Sequence, residues 1–394
     1  MICSKLWTDT NINFKENSIR HCCKQQVTET KINLDEIKEL DDDIFEHGTI
    51  ILQDRQTILN SNVPYNCVNG KCEYRKYWNK WDSKWLKRNS SKLFTEDFTN
   101  YIELDLSNEC DQACMYCGPW SSSTWAKELN NDFYSKQNTD SKWKEHVLNA
   151  LYKKIENFDE RLWLTISILG GEPTLMPDLY IILEKLLHIG KTKLEITLTS
   201  NLNTKPILWN KLLNYIKSNS HIVWNIGVSV EDLESRAELI RHNLNWKRFV
   251  SNLLDIAPHT RITFTPTINT LCLPYFDQFI DWCFDIMPTK YGIDWVIGTN
   301  AVYNHPMDIA FLPKKYVDMK NIEKTFLDKI DNIDYKFNNY GRSNTAKFKK
   351  HLREIKKRLG TKNITKAEKD WYNNISNRRG INYIKDFPHV KEFI

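Results

Sequence analysis

The sequence has no long apolar run, and this absence excludes a membrane-spanning helix. No stretch approaches the roughly eighteen consecutive apolar residues that a transmembrane helix needs. The first residues, MICSKLWTDTN, also lack the basic-then-apolar pattern of a secretory signal. We therefore expect a cytoplasmic protein with no membrane partner, in a compartment that keeps cysteines reduced.

Several nucleotide-binding and metal-binding motifs are missing as well. The chain contains no phosphate-binding loop, no GxGxxG after a predicted strand, no HExxH helix and no internal repeat. Its 41% hydrophobic and 27% charged residues are typical of a soluble globular protein. A net charge of +5 is small for 394 residues, a length that fits two or three domains. These absences leave the cysteines as the most informative residues.

The ten cysteines fall into three groups along the chain. They are Cys3, Cys22, Cys23, Cys67 and Cys72; then Cys110, Cys114 and Cys117; then Cys272 and Cys283. Because disulfides are rare in a reducing compartment, clustered cysteines indicate metal or redox chemistry. The last two cysteines lie in or near a predicted helix, and we expect them to pack in the core.

From Tyr101 onward, short apolar or β-branched runs alternate with helical patterns. The predicted strands are Tyr101–Leu106, Trp163–Leu169, Leu194–Thr199, Val223–Val230, Ile262–Ile268 and Gly292–Ile297. The predicted helices include Ser122–Leu129, Trp143–Ile155, Leu179–Leu187, Ile207–Ile216, Trp246–Ile256 and Tyr275–Phe284. This alternation predicts an α/β fold with a parallel sheet and crossover helices, and six strands favour a partial (β/α)6 TIM-like barrel.

The pattern divides the chain into three predicted domains. Residues 1–97 indicate an irregular, cysteine-rich module, residues 98–300 the partial barrel, and residues 301–394 a helical, basic region. Residues 341–394 hold fifteen Lys or Arg against five Asp or Glu. This excess fits either a solvated helical surface or a patch that attracts an acidic peptide or nucleic acid. No recognisable RNA-binding module supports nucleic acid as the partner.

Cys110, Cys114 and Cys117 follow the first predicted barrel strand in the pattern Cys-x3-Cys-x2-Cys. Three thiolates in eight residues can surround one cluster, and soft sulfur ligands favour iron–sulfur or zinc. No His or Cys follows at zinc-finger spacing, so a closed zinc site would need a distant fourth ligand. Three ligands instead leave one iron of a [4Fe–4S] cluster open to an outside molecule.

This triad, with Tyr116 just before its last cysteine, resembles the signature of the radical S-adenosylmethionine (SAM) superfamily. The chain continues the resemblance in the family's order, with Leu202 at a usual glycine position and Glu231-Asp232 in place of Asp-Gly. The similar positions are Gly170, Gly171, Glu172 and Pro173; Ser200 and Asn201; Ser229; Arg236 and Arg241; and Thr265. Nearly all lie at the carboxyl end of a predicted parallel strand, where α/β barrels build their sites.

The resemblance implies a [4Fe–4S] cluster on the three cysteines, with SAM bound at its fourth iron. It places the Gly170–Pro173 turn at the amino group of SAM, an arginine at the carboxylate, Ser229 at the ribose and Thr265 at the adenine. One electron from the cluster would then cleave SAM to methionine and a 5′-deoxyadenosyl radical, which takes a hydrogen atom from the substrate. The electron is expected from an external donor such as flavodoxin or ferredoxin.

The early cysteines resemble the auxiliary-cluster module of the twitch/SPASM group. The likeness covers Cys3 to Trp7, Asn17 at a usual turn glycine, the pair Cys22-Cys23, and Pro64 to Cys72. It implies a second, auxiliary [4Fe–4S] cluster on Cys3, Cys22, Cys67 and Cys72, although Cys67 and Cys72 lie two residues further apart than usual. A zinc site built from the same four thiolates is the alternative.

The resemblance to that group implies the oxidation or cross-linking of a peptide or protein substrate. The same radical chemistry on a sugar, nucleoside or other small molecule is the alternative, and an RNA-modifying enzyme is a third possibility. A non-catalytic iron–sulfur protein is the rival from a different class. It would keep the cysteines but would not need the Gly170–Pro173 turn, Ser229 or Arg241.

Overall fold

The computed structural model describes residues 5–21, 32–59, 99–131, 140–286, 296–297, 300–331 and 338–392. The proposed auxiliary ligands Cys3, Cys22, Cys67 and Cys72 therefore lie outside the described residues. The chain forms two compact units. The first contains Met1–Glu109, Asn131–Leu198 and Asn219–Val223, and the second contains Cys110–Asn130, Thr199–Ser218 and Trp224–Ile394.

The described residues form an α/β fold on mostly parallel strands, as the sequence predicts. In chain order the strands are β1 (Asp9–Asn13), β2 (Ser18–Arg20), β3 (Tyr101–Asp105), β4 (Ala113–Cys114), β5 (Leu164–Leu169), β6 (Leu194–Ser200), β7 (Val223–Val228), β8 (Arg241–His242), β9 (Arg261–Phe264), β10 (Thr267–Ile268), β11 (Val296–Ile297) and β12 (Asn300–Ala301). The helices are α1 (Lys5–Thr8), α2 (Leu34–Leu40), α3 (Ile44–His47), α4 (Thr49–Leu59), α5 (Ser123–Glu128), α6 (Ser141–Asn157), α7 (Pro177–Ile189), α8 (Pro206–Ser218), α9 (Glu234–Ile240), α10 (Trp246–Ile256), α11 (Phe276–Ile286), α12 (Met319–Asp331), α13 (Asn338–Arg358), α14 (Lys366–Arg379) and α15 (Tyr383–Asp386).

In the first unit, β1, β3, β5 and β6 pair in parallel, and β2 adds an antiparallel edge to β1. Alternate residues of these strands are buried apolar side chains, such as Ile102, Leu104 and Ile166. The intervening positions form an in-register polar row, which contains Asn11, Glu103, Ser167 and Thr197. A parallel sheet is normally apolar on both faces, so this polar face is unusual.

The expectation of an irregular N-terminal module is wrong for residues 5–21 and 32–59. These residues contain two strands and four helices, and β1 joins the parallel sheet beside β3. Strand β1 has the sequence DTNIN, which shows little apolar alternation. Its asparagine side chains are nevertheless buried, because they bond to side chains of β3. Asn11 hydrogen-bonds to Glu103, and Asn13 Nδ2 donates to Asp105 Oδ2 at 3.1 Å.

In the second unit, β9 pairs in parallel with both β7 and β11. The single strand predicted over Ile262–Ile268 is divided into β9 and β10. Pro266 lies between the two strands and has no N–H for a ladder hydrogen bond, which explains the interruption. The predicted strand Gly292–Ile297 is described only at β11.

Ion pairs neutralise part of the positive charge of the C-terminal helices. Arg358 pairs with buried Asp308, and Arg379 pairs with Glu128 on α5 at 3.0 Å. The Arg379 guanidinium also lies 4.4 Å over the ring of Trp125. The basic tail is thus partly built into the second unit.

Cys272 and Cys283 are both completely buried, which confirms the expectation of core packing. Burial raises the pKa of each thiol well above its usual value. Neither cysteine is therefore expected to form the reactive thiolate at neutral pH. Among the described residues, no helix has the length and apolar character to cross a membrane.

Candidate active site

The loop Cys110–Cys117 leaves β3 and is fixed by side chains from the start of α5. The Thr124 hydroxyl donates to the Cys110 carbonyl at 2.6 Å, and the Trp125 indole N–H donates to the Cys114 carbonyl at 2.6 Å. Such bonds satisfy loop carbonyls that have no partner in a helix or sheet. They hold the backbone that presents the three cysteines.

The Cys114 thiol donates to Gln112 Oε1 at 3.5 Å. The proximity of Cys117 raises the pKa of the Cys114 thiol, and the proximity of Cys114 lowers the pKa of the Cys117 thiol. No three His, Cys, Asp or Glu side chains of the described residues are grouped so that they could hold a single metal ion. In an iron–sulfur cluster each thiolate binds a different iron, so the three sulfurs need not converge on one point. An all-sulfur donor set with this spacing fits a cluster.

Arg241 lies in a buried ion pair beside this loop. The antiparallel pair of β4 and β8 places Arg241 opposite Cys114, and Nη1 lies 3.8 Å from Cys114 Sγ. Its Nη2 and Nε donate to Glu231 at 2.6 and 3.0 Å. The Tyr116 hydroxyl also donates to Glu231, at 3.1 Å.

The electrostatics of this cluster follow from its burial. Glu231 is 0% exposed and Arg241 is 4% exposed, so their charges are poorly screened by water. Burial by itself lowers the pKa of Arg241, but the Glu231 carboxylate raises it well above the usual value. Burial raises the pKa of Tyr116. Arg241 is thus charged, while the Tyr116 hydroxyl stays protonated and acts as a donor.

A second network surrounds the first cysteine of the loop. Asp111 accepts hydrogen bonds from Asn201 Nδ2 at 2.9 Å and from Asn203 Nδ2 at 2.7 Å. The same Asn201 amide lies 4.0 Å from Cys110 Sγ. The segment that follows β6 is thereby joined to the loop Cys110–Cys117 through side chains.

Leu202, which replaces the glycine usual in the family, retains a backbone conformation that favours glycine. Its φ is +51°, and its side chain is completely buried. The Ser200 hydroxyl accepts from its N–H at 3.0 Å, and Asn252 Nδ2 donates to its carbonyl at 2.9 Å. These two bonds hold the strained turn after β6.

The remaining predicted SAM contacts of the second unit lie at other strand ends. Ser229 follows β7, and its N–H donates to the Ser200 carbonyl at 2.9 Å. Thr265 follows β9 and donates through its hydroxyl to the Val228 carbonyl at 3.1 Å. Both side chains are half-buried. Their position at the carboxyl ends of parallel strands agrees with the sequence prediction.

Arg236 is engaged by a different carboxylate from that of Arg241. Its Nε donates to Asp232 Oδ1 at 2.8 Å, and its guanidinium lies 4.3 Å over the Tyr275 ring. Asp232 is completely buried, and burial raises the pKa of its carboxyl to about 7. Its second oxygen has no hydrogen-bond partner among the described residues.

In the first unit, the Gly170–Pro173 turn packs against the end of the segment that leads to Cys110. The Gly171 N–H donates to the Ser107 carbonyl at 2.8 Å, and the Glu172 N–H donates to the Glu109 carbonyl at 2.7 Å. A Cβ on Gly171 would lie 2.3 Å from the Glu109 carbonyl oxygen. Glycine is therefore required by the close approach of two backbones.

Glu172 has a structural partner as well as a predicted ligand role. It is completely buried, and its Oε1 accepts from the Thr174 hydroxyl at 2.6 Å and from the Thr174 N–H at 3.2 Å. These bonds cap the short 3-10 helix Pro173–Leu175. One carboxylate oxygen thus fixes the turn.

The structure brings together Cys114, Tyr116 and Arg241, and it places Asn201 beside Cys110. Sequence reasoning missed three residues of these networks: Glu231, Asp111 and Asn203. The departure of Glu231-Asp232 from the family's Asp-Gly was the signal for Glu231. Asp111 and Asn203 could have been found from their positions next to Cys110 and to the Asn201 turn.

Residues 104–278 match the Radical SAM superfamily. This stretch is therefore a radical SAM domain, which implies an enzyme that uses SAM, a [4Fe–4S] cluster, an external electron donor and a substrate. Its limits enclose the cysteine loop and the strand ends described above. No curated protein matches the chain.

Proposed function

We propose that the chain is a radical SAM enzyme whose cluster is held by Cys110, Cys114 and Cys117. When bound, the reduced cluster supplies the electron that cleaves SAM to methionine and a 5′-deoxyadenosyl radical, which abstracts a substrate hydrogen atom. The observation that carries this proposal is the fixed cysteine loop inside a matched radical SAM domain. The chain's own residues position the reactants and exclude water from them.

The residues at the strand ends are proposed to bind SAM. The Gly170–Pro173 turn offers a rigid backbone and the Glu172 carboxylate to an ammonium group. Ser229 and Thr265 offer half-buried hydroxyls and backbone groups at the ends of β7 and β9. A bound SAM molecule needs donors and acceptors of this kind along its length, because its methionine, ribose and adenine parts are all polar.

The substrate is proposed to be a peptide or protein that is oxidised or cross-linked. Hydrogen abstraction leaves a substrate radical, and net oxidation requires that this radical give up one more electron. A second [4Fe–4S] cluster on Cys3, Cys22, Cys67 and Cys72 would accept that electron. The support for this part is the resemblance of the sequence to the twitch/SPASM group.

A small polar molecule is the second candidate substrate. The observation that favours it is the polar row formed by Asn11, Glu103, Ser167 and Thr197 in the first unit. Glu103 and Thr197 of this row are only half-buried, and polar groups of this kind can orient a hydroxylated substrate, which supplies both donors and acceptors. A sugar or nucleoside has this chemistry.

The test is the replacement of Cys110, Cys114 and Cys117 by alanine in the full chain, reconstituted without oxygen. The wild-type chain should bind about eight irons and form 5′-deoxyadenosine from SAM and dithionite. The triple variant should keep about four irons and form no 5′-deoxyadenosine. Cys283→Ala is the matched control, because this buried cysteine lies in the core, and it should retain both iron and cleavage.

Two results would change the proposal. An unchanged cleavage rate in the triple variant would refute the ligand assignment. About four irons and one zinc in the wild-type chain would make the N-terminal site structural, and the substrate radical would lose its electron acceptor. A redox-neutral epimerisation or rearrangement would then replace the oxidation.

A further inference from the structure

Arg241 is placed next to Cys114 by the backbone and not by its side chain alone. The two residues are paired across β4 and β8, although 127 positions separate them in the chain. The Met115 N–H also donates to the Ile240 carbonyl at 2.8 Å, which extends the same contact. The 3.8 Å approach of Nη1 to Cys114 Sγ is therefore built into the fold.

The other nitrogens of the guanidinium are held in place by Glu231. Two hydrogen bonds of 2.6 and 3.0 Å fix its plane, and the Tyr116 hydroxyl contacts both oxygens of the same carboxylate. A planar guanidinium bound in this way cannot rotate freely. Nη1 is thus left as the nitrogen that faces the sulfur.

An N–H donor on a cysteine sulfur changes the energy of a cluster that the sulfur binds. A cluster gains negative charge on reduction, so a nearby cation or N–H donor favours the reduced form and a nearby anion opposes it. Because Arg241 and Glu231 are both buried, solvent screens both effects only weakly. The reduction potential depends on both charges, and the guanidinium is the one in contact with sulfur.

We propose that the Glu231–Arg241 pair is a positioning device that holds an N–H donor on the Cys114 sulfur and sets the reduction potential of the SAM-cleaving cluster. The proposal rests on the proposed function, since it needs a cluster on Cys114. It gives Arg241 a role different from the SAM carboxylate contact that the family resemblance implies. It also gives a role to Glu231, which stands at a position where the family pattern has Asp.

The test measures the reduction potential of the triad cluster in the full holo-chain by redox titration monitored by electron paramagnetic resonance. The signal is assigned as the one that the triple alanine variant loses. Arg241→Gln should lower the equilibrium constant for reduction at least tenfold, which is 59 mV for one electron. Glu231→Gln should raise the potential, because it removes a buried negative charge and keeps the cation.

The double variant E231Q/R241Q guards against a failure to fold. Each single variant leaves one charge buried without its partner, which destabilises a protein, but the double variant leaves none. Its potential should lie between those of the wild-type chain and Arg241→Gln. Arg358→Gln is the matched control, because Arg358 pairs with buried Asp308 and its described contacts include no cysteine. It should leave the potential unchanged.

The outcomes are distinct. Shifts of opposite sign for the two single variants, with full iron content, support the proposal. An unchanged reduction potential in Arg241→Gln overturns the proposal. So does a loss of iron in both single variants with potential shifts of the same sign, which is expected if the pair only supports the structure. If the wild-type chain has no iron that the triple alanine variant loses, the proposed function itself fails.

Discussion

Gly171→Ala is expected to disrupt the segment that leads to Cys110 by pushing two backbones apart. The added Cβ would lie 2.3 Å from the Glu109 carbonyl oxygen and 2.8 Å from the Asn108 carbonyl carbon. Both are backbone atoms, so no side chain can rotate away to make room. Glu109 directly precedes Cys110, and a shift there moves the first ligand of the proposed cluster.

The magnitude follows from the contacts that would be lost. Overpacking of this kind costs about 1–3 kcal/mol. The hydrogen bonds from the Gly171 and Glu172 N–H groups would also break, and each contributes about 0.5–1.5 kcal/mol. The sum is about 2–6 kcal/mol, which is large against a typical total stability of about 5–15 kcal/mol.

The assay is thermal unfolding of the reconstituted chain together with iron analysis. Gly380→Ala is the control, because Gly380 has φ of +63° and no atom within 4 Å of an added Cβ. That variant should show only the backbone penalty of about 1–2 kcal/mol and keep its iron. If Gly171→Ala melts at the temperature of Gly380→Ala and binds as much iron, the steric argument is wrong.

Three further predictions concern single side chains. Glu172→Ala should weaken SAM binding by roughly ten- to a hundred-fold with little change in cluster absorbance, because charged hydrogen bonds contribute about 1.5–3 kcal/mol; loss of iron would show instead that its bonds to Thr174 are its main role. Leu202→Gly should relieve about 1–2 kcal/mol of strain but remove a buried leucine that contributes about 2–5 kcal/mol, so urea unfolding should show net destabilisation. Since burial raises the pKa of Asp232 to about 7, the contribution of this carboxyl group to stability is complete below about pH 4 and is lost as the pH rises through 7. Asp232→Asn should therefore flatten the pH dependence of the free energy of unfolding between about pH 4 and pH 7. An unchanged slope in that variant would contradict the burial argument.

The sequence predicted those helices and strands whose own residues show a clear apolar periodicity. Helix α10 begins at Trp246 and ends at Ile256, as predicted, because Asn245 caps it and its buried residues follow a helical period. Strand β1 was not predicted, because its asparagines are satisfied by Glu103 and Asp105 some ninety residues away. That information lies in another strand and not in the segment itself.

The same distinction applies to the candidate site. The spacing of Cys110, Cys114 and Cys117 predicts a cluster because all three ligands lie in one short loop. The position of Arg241 next to Cys114 depends on a pairing of two very short strands, which has no local sequence signal. The sequence alone could not show whether the Arg241 guanidinium pairs with Glu231 or with the carboxylate of a bound SAM molecule.

The contact between α14 and α5, the helix whose side chains fix the cysteine loop, has a consequence for the order in which the protein is completed. Trp125 bonds to the Cys114 carbonyl, and its ring lies under the guanidinium of Arg379, which is anchored by Glu128. Because Arg379 is separated from Glu128 by 251 positions, the ribosome makes the cysteine loop and α5 long before the arginine that packs on Trp125. Helix α5 therefore acquires its contact with α14 only after nearly the whole chain has been synthesised. A chain cut short before α14 would keep the three cysteines proposed to bind the cluster, together with Thr124 and Trp125 that hold their loop, but it would lack the contacts of Arg379 to Trp125 and Glu128.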